Sequence, residues 1–140
     1  MSMPLPSAHL DLLMRPVHGV LTTLMPDGQP QSTLVWCDFD GECACVNTTL
    51  GRQKGRNLAA DPRATLLLVD PDDTGRYLEL RGEVELVHEG ALAHLDTLTR
   101  KYTRHPQFYG YVYPEAQAER ETRVICRLHA RKITLDAIHR

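Results

Sequence analysis

Residues 48–58 read Thr48-Thr49-Leu50-Gly51-Arg52-Gln53-Lys54-Gly55-Arg56-Asn57-Leu58: two hydroxyls, then three cations at alternate positions, and no acid among them. The pattern has a strand ending and a helix beginning here, with the cations in the first helical turns. A helix N-terminus carries partial positive charge and free backbone N–H groups, so it disfavours each such cation by about 0.3–1 kcal/mol. A phosphate at this point would take up the free N–H groups, the Thr48 and Thr49 hydroxyls and the basic side chains together. The alternative is a solvated helix face whose basic residues only favour solubility.

Other chemistries leave weaker traces. There is no Gly-x-Ser-x-Gly elbow for an acyl-transfer nucleophile and no Gly-x-Gly-x-x-Gly for a dinucleotide fold. His18, His88, His94, His105, His129 and His139 are scattered without ligand spacing and read as solvated or core histidines. Cys43 and Cys45 share a face of a predicted strand, but no second Cys/His pair at structural-zinc spacing accompanies them. The four cysteines therefore read as buried free thiols, with no metal expected.

Composition sets the frame for these residues. A chain of 140 residues has room for one core, so residues 1–140 are expected to form a single domain. With 42% hydrophobic and 24% charged residues, it is expected to be globular rather than disordered. A net charge of −2 argues against a nucleic-acid partner. No apolar run approaches the roughly 18 residues of a membrane span, and Met1-Ser2-Met3-Pro4-Leu5-Pro6 lacks the features of a signal peptide. No membrane contact and a cytoplasmic location are expected.

The elements that must position the basic run follow from periodicity. Ser7 or Ser2 would cap a short opening helix over His9 to Met14, stopped by Pro16. His18 to Met25 and Gln29 to Cys37 flank the hairpin signal Pro26-Asp27-Gly28, and Glu42 to Asn47 follows Asp38-Phe39-Asp40-Gly41, giving three antiparallel strands. The basic helix runs to Ala60 and ends before Asp61-Pro62. Arg63 to Asp70 and Arg76 to His88 are further strands, the second with strict alternation of Leu78, Leu80, Val84 and Leu86 against charged residues. Gly90 to Arg104 has helical spacing, with Leu92, Leu95, Leu98 and Tyr102 on one core-facing stripe. Phe108, Tyr109, Tyr111 and Tyr113 gather four of the eight aromatics in one irregular loop, which either covers something flat (a ring or a partner subunit) or plugs the barrel end. Glu121 to Leu128 and Arg131 to Ile138 read as two closing strands. The fold class is mainly β (α+β): an antiparallel barrel of six or seven strands with two to three short helices.

Several of these elements, in this order, carry a resemblance. Gly19-Val20-Leu21-Thr22-Thr23-Leu24, then Asp27-Gly28-Gln29-Pro30-Gln31, Val35-Trp36, Thr48 to Asp61-Pro62-Arg63, and Arg76 to Glu85 resemble the pyridoxamine 5'-phosphate oxidase-like split β-barrel family of flavin and deazaflavin oxidoreductases. The run Thr49-Leu50-Gly51-Arg52-Gln53-Lys54-Gly55-Arg56-Asn57-Leu58 is most similar to the small members that use coenzyme F420. The resemblance implies an FMN-binding-type split barrel and a homodimer whose cofactor clefts lie between the two protomers. It places phosphate contacts on Thr48, Arg52, Gln53 and Lys54, with Arg56 and Asn57 one helical turn further on. It lays the backbone of Ser32, Thr33, Leu34 and Val35 along the cofactor ring.

The chain departs from pyridoxamine-phosphate oxidases proper. It lacks their Arg near Ser32, their Lys near Cys37 and their C-terminal substrate-binding extension, so vitamin B6 oxidation is not expected. The activity implied is F420-dependent hydride transfer to a small conjugated acceptor. The alternatives are an FMN-dependent reductase or oxidase on the same barrel, or a non-catalytic flavin- or haem-binding protein. Since such a cofactor carries the hydride itself, no catalytic side chain is obligatory.

Overall fold

The computed structural model describes residues 2–138, so His139 lies outside the described residues. Seven strands form one sheet: β1 (Gly19–Leu24), β2 (Pro30–Val35), β3 (Cys37–Phe39), β4 (Ala44–Thr49), β5 (Arg63–Val69), β6 (Tyr77–Val87) and β7 (Arg123–Leu135). Their order is β2-β1-β5-β6-β7-β4-β3, with every neighbouring pair antiparallel. The two edge strands, β2 and β3, are joined by Trp36 alone. The sheet must therefore curl until its edges come together, which makes the split barrel that the sequence implied.

Two strand assignments change. The expected single strand from Gln29 to Cys37 breaks at Trp36: β2 pairs with β1 while β3 pairs with β4, so the three-strand meander does not form. The two expected closing strands are one strand, β7, carrying a bulge. Its register shifts between Arg81 and Gly82, which face Lys132 and Ala130 and leave Arg131 as the extra residue. This extra residue breaks the alternation after Ala130 and imitates a turn. Gly82 permits the close approach, since a Cβ there would lie 2.0 Å from the His129 carbonyl oxygen.

The opening helix is shorter than expected. A 3-10 turn, Ser7–His9, leads into α1 (Asp11–Met14), and neither is capped by a side chain. Leu12 and Leu13 are fully buried and join the barrel core of Leu21, Leu66, Leu68, Leu78, Leu80 and Val124. Each such leucine contributes about 1.5–3 kcal/mol by leaving water. The four cysteines are free and buried, as the spacing implied.

Two helices position the site. Helix α2 (Gln53–Ala60) starts after an extended Arg52 (φ −88°, ψ 159°) with no side-chain cap and no acid in its first turn, and stops at an extended Asp61 before Pro62. It packs backbone to backbone on the end of β4: a Cβ on Gly55 would fall 2.3 Å from the Thr49 carbonyl oxygen. Helix α3 (Ala91–Thr103) buries Leu95 and Leu98, whereas Leu92 is 51% exposed and drops out of the expected stripe. At its end, the Tyr102 hydroxyl donates to the Val17 carbonyl at 2.6 Å and the Lys101 ammonium to the carbonyls of Leu13 and Cys37. Trp36 stacks on Tyr102 with ring centroids 5.5 Å apart, which fixes the link between the barrel edges. Among the described residues, no helix is long and apolar enough to cross a membrane.

Candidate cofactor site: a cationic cavity with an aromatic wall

A cavity of about 200 Å³ opens where the end of β2, the start of α2, the start of β7 and helix α3 converge. Asn47, Arg52, Lys54 and Arg123 make its polar wall, while Leu34, Trp36, Leu95, Leu98, Phe108 and Val112 supply most of the apolar one. Val35 completes the lining, which contains no His, Cys, Asp or Glu. The lining offers no hydroxyl, thiol, imidazole or carboxylate, and the Lys54 amine is its one potential nucleophile. The arrangement can bind, orient and exclude water.

Its charges do not balance. Lys54 is half-buried and has no hydrogen-bonding or ion-pair partner among the described residues. Burial pushes its pKa down, and the positive charges of Arg52 and Arg123 push it further. Arg52 lies at the mouth of the cavity, 3.9 Å from Glu121 and about 6.0 Å from the Tyr113 ring centroid. Arg123 is deeper, its side chain 7% exposed. Its Nη2 donates to Glu121 at 3.0 Å, its Nε donates to the Tyr109 hydroxyl at 2.9 Å, and the Phe108 ring lies 4.8 Å above its guanidinium carbon. The Tyr109 hydroxyl in turn donates to Glu121 at 2.5 Å. Two of the three cations, Arg52 and Arg123, thus share the one carboxylate, and Lys54 has none. A partly buried cation without a counter-charge is costly, and an anion in the cavity would relieve that cost.

The residues named from sequence separate into three groups. Leu34, Val35, Arg52 and Lys54 meet at the cavity. Ser32 and Thr33 lie further along β2: Ser32 is exposed and bonded to Thr22 at 2.8 Å, and the Thr33 hydroxyl is buried without a partner. Thr48 occupies the core face of β4 with Ala44 and Val46, and its hydroxyl too is buried and unpartnered; Asn47, one residue before, reaches the cavity in its place. The Thr49 hydroxyl accepts the Gly51 N–H at 3.2 Å and so shapes the turn into α2.

Gln53, Arg56 and Asn57 form the third group, on a separate groove with Leu24 and Met25. Arg56 donates to Gln53 at 2.8 Å, Gln53 to Asn57 at 2.8 Å, and Asn57 to the Thr23 hydroxyl at 3.0 Å, which ties α2 to β1. Arg56 also donates to the Gly51 carbonyl. Arg56, placed one helical turn beyond Arg52 by the resemblance, does not join it at the cavity, because Arg52 is the extended residue before the helix, where the four-residue spacing does not apply.

Arg123, Asn47, Leu95, Leu98 and Trp36 were not singled out as site residues. The aromatic loop was, and it has a mixed role. Phe108 walls the cavity and Tyr109 braces Arg123, while Tyr111 and Tyr113 remain 55% and 38% exposed.

The chain is similar to known proteins over nearly its whole length. Residues 5–135 match the family model described as pyridoxamine 5'-phosphate oxidase. A solved structure described as an F420 reductase is 35% identical over 93% of this chain and 98% of its own, with a TM-score of 0.77. A conserved hypothetical protein, Rv2991 from Mycobacterium tuberculosis, is 27% identical over 96% of this chain and 86% of its own, with a TM-score of 0.73. A Listeria innocua structure named for pyridoxamine 5'-phosphate oxidase shares the fold at 19% identity, covering 91% of this chain and 94% of its own, with a TM-score of 0.67. With a family match over residues 5–135 and 35% identity to a solved relative that it covers almost entirely, this chain belongs to the pyridoxamine 5'-phosphate oxidase family.

Proposed function

We propose that this chain is an F420-dependent oxidoreductase that reduces a small, flat, conjugated acceptor. The observation that carries the reading is the set of three cations, Arg52, Lys54 and Arg123, with Glu121 as the only carboxylate among the described residues paired to any of them, beside an apolar wall containing Trp36 and Phe108. Arg52 and Lys54 would hold the cofactor phosphate, and the backbone of β2 up to Leu34 and Val35 would support the ring. When bound, the deazaflavin supplies the hydride; the protein binds it, aligns it and keeps water out. The 35% identity to an F420 reductase favours F420, and the family description keeps an FMN-dependent enzyme as the second reading.

The same reading includes a homodimer. A cavity of about 200 Å³ is smaller than the ~300–1,000 Å³ typical of ligand sites, so one chain offers too little room for a tricyclic cofactor. Leu34, 70% exposed on the open edge strand β2, would be covered by the second copy. Arg56 is exposed on the groove beyond the cavity and would meet the charges that F420, unlike FMN, carries past its phosphate.

The test is titration of the purified protein with F420 and with FMN, together with its elution size. The reading expects a dimer that binds F420 more tightly than FMN, and an Arg56→Glu protein weakened for F420 alone. Equal or tighter FMN binding, with both affinities unchanged in Arg56→Glu, would give the FMN enzyme. Binding of neither would favour the non-catalytic reading.

A further inference from the structure

Arg123 differs from the other two cations of the cavity. Arg52 is exposed and Lys54 is unpartnered, but Arg123 is buried and held on three sides by Glu121, Tyr109 and the Phe108 ring. These contacts use Nε and Nη2. Nη1 has no partner among the described residues and is not a buried atom, which leaves it to the cavity that Arg123 lines. The surroundings of that free nitrogen are apolar and aromatic: Trp36 and Phe108 meet edge to face at 6.3 Å, with Leu95 and Leu98 alongside. A guanidinium fixed in this way presents its N–H groups in one direction without loss of side-chain freedom on binding.

Charge counting indicates what it binds. Three cations less Glu121 leave two positive charges. The F420 phosphate is substituted on both sides and carries a single negative charge, so one positive charge remains.

We infer that Arg123 is the specificity-determining residue for the acceptor, and that it binds the carboxylate of a planar conjugated acid lying against Trp36 and Phe108. This assignment rests on the reading that Arg52 and Lys54 take the cofactor phosphate. A carboxylate suits the position better than a neutral carbonyl because it supplies the missing charge and accepts charge-assisted hydrogen bonds from the guanidinium.

Trp36 is the chain's only tryptophan and stands in the cavity wall, so its fluorescence reports occupancy. The purified protein is titrated with trans-cinnamate and with its neutral counterpart cinnamamide, in phosphate buffer so that the start of α2 is filled. Wild type should bind cinnamate about tenfold more tightly than cinnamamide, the scale of one charged hydrogen bond. Arg123→Gln should bind the two equally. The paired variant Arg123→Gln with Glu121→Gln should do the same, and it leaves no lone buried charge that could unfold the protein.

Lys54→Ala should keep the preference for cinnamate while losing affinity for F420. Equal binding of the two probes by wild type would overturn the assignment, as would a preference that survives the Arg123 changes. F420 binding unchanged in Lys54→Ala would instead overturn the reading beneath it, so the two failures are distinguishable.

Discussion

Arginines and carboxylates cluster in two kinds of place in this molecule, and the ratio between them differs. In two clusters away from the cavity, acids outnumber arginines. Arg127 donates to Asp40 at 2.7 Å, to Glu42 at 2.8 Å and to Glu85 at 2.8 Å, while Arg76 bridges Asp11 and Asp70. At the cavity the ratio reverses: Arg52 and Arg123 share Glu121, and Lys54 has no carboxylate partner among the described residues. A cluster that satisfies its own charges can only hold the fold. A cluster that leaves cations half-buried and unsatisfied costs stability, and it is explained by something that binds there.

The largest expected effect comes from breaking a balanced cluster. Arg76 joins α1 to the turn between β5 and β6, and its removal leaves Asp70, only 7% exposed, with only the more distant Arg15 guanidinium at 3.8 Å. Arg76→Ala should cost about 1.5–3 kcal/mol of folding stability by denaturant titration, the range for a charged hydrogen bond, with cofactor affinity unchanged. A loss confined to cofactor affinity would mean that the two kinds of cluster had been assigned the wrong way round.

A smaller effect should appear on acidification. Burial alone would raise the Asp40 carboxyl, but the Cys43 N–H, Arg127 and the Glu42 N–H outweigh it and hold the pKa at about 2, against an ordinary 3.8. The folded value lies below the unfolded one, so this carboxylate's contribution is complete above the ordinary value and disappears as pH falls through about 2. Thermal melts should show destabilisation across that window, and it should be reduced in Asp40→Asn. Identical acid profiles for the two proteins would remove Asp40 from the balanced set.

The smallest effect on stability belongs to Lys54. Its folded pKa is lowered, so its charge opposes folding at neutral pH, and the penalty eases as pH rises through the lowered value. Lys54→Ala should leave the melting temperature unchanged or slightly higher. Phosphate should raise the wild-type melting temperature at neutral pH, and this gain should fade at a pH below that of an ordinary lysine. A clear fall in stability in Lys54→Ala would make this lysine a structural one.

The difference between the clusters was half-visible in the sequence. Arg52 and Lys54 stood out because their sign is wrong for a helix start, and Leu34 and Val35 followed from the family resemblance. Arg123 gave no such signal. It reaches the site because β4 pairs with β7 and sets Thr49 opposite Arg123, a long-range register that periodicity does not encode. Strand identities were legible wherever apolar and polar residues alternate, as in β6. They failed at Trp36 and at the β7 bulge, where a single residue changes the partner strand or the phase. Arg56 faces a different groove from Arg52 for a related reason: helical spacing does not hold from a residue whose backbone is extended.

The most direct measurement is the affinity of F420 for wild type and for Lys54→Ala, followed by the cofactor's fluorescence. If the unbalanced cluster is the phosphate site, the variant should bind F420 weaker by about 1.5–3 kcal/mol, the range for a charged hydrogen bond, while melting at or slightly above the wild-type temperature. Unchanged F420 affinity in a folded Lys54→Ala protein would contradict that account and return the basic run of α2 to a solvated helix face.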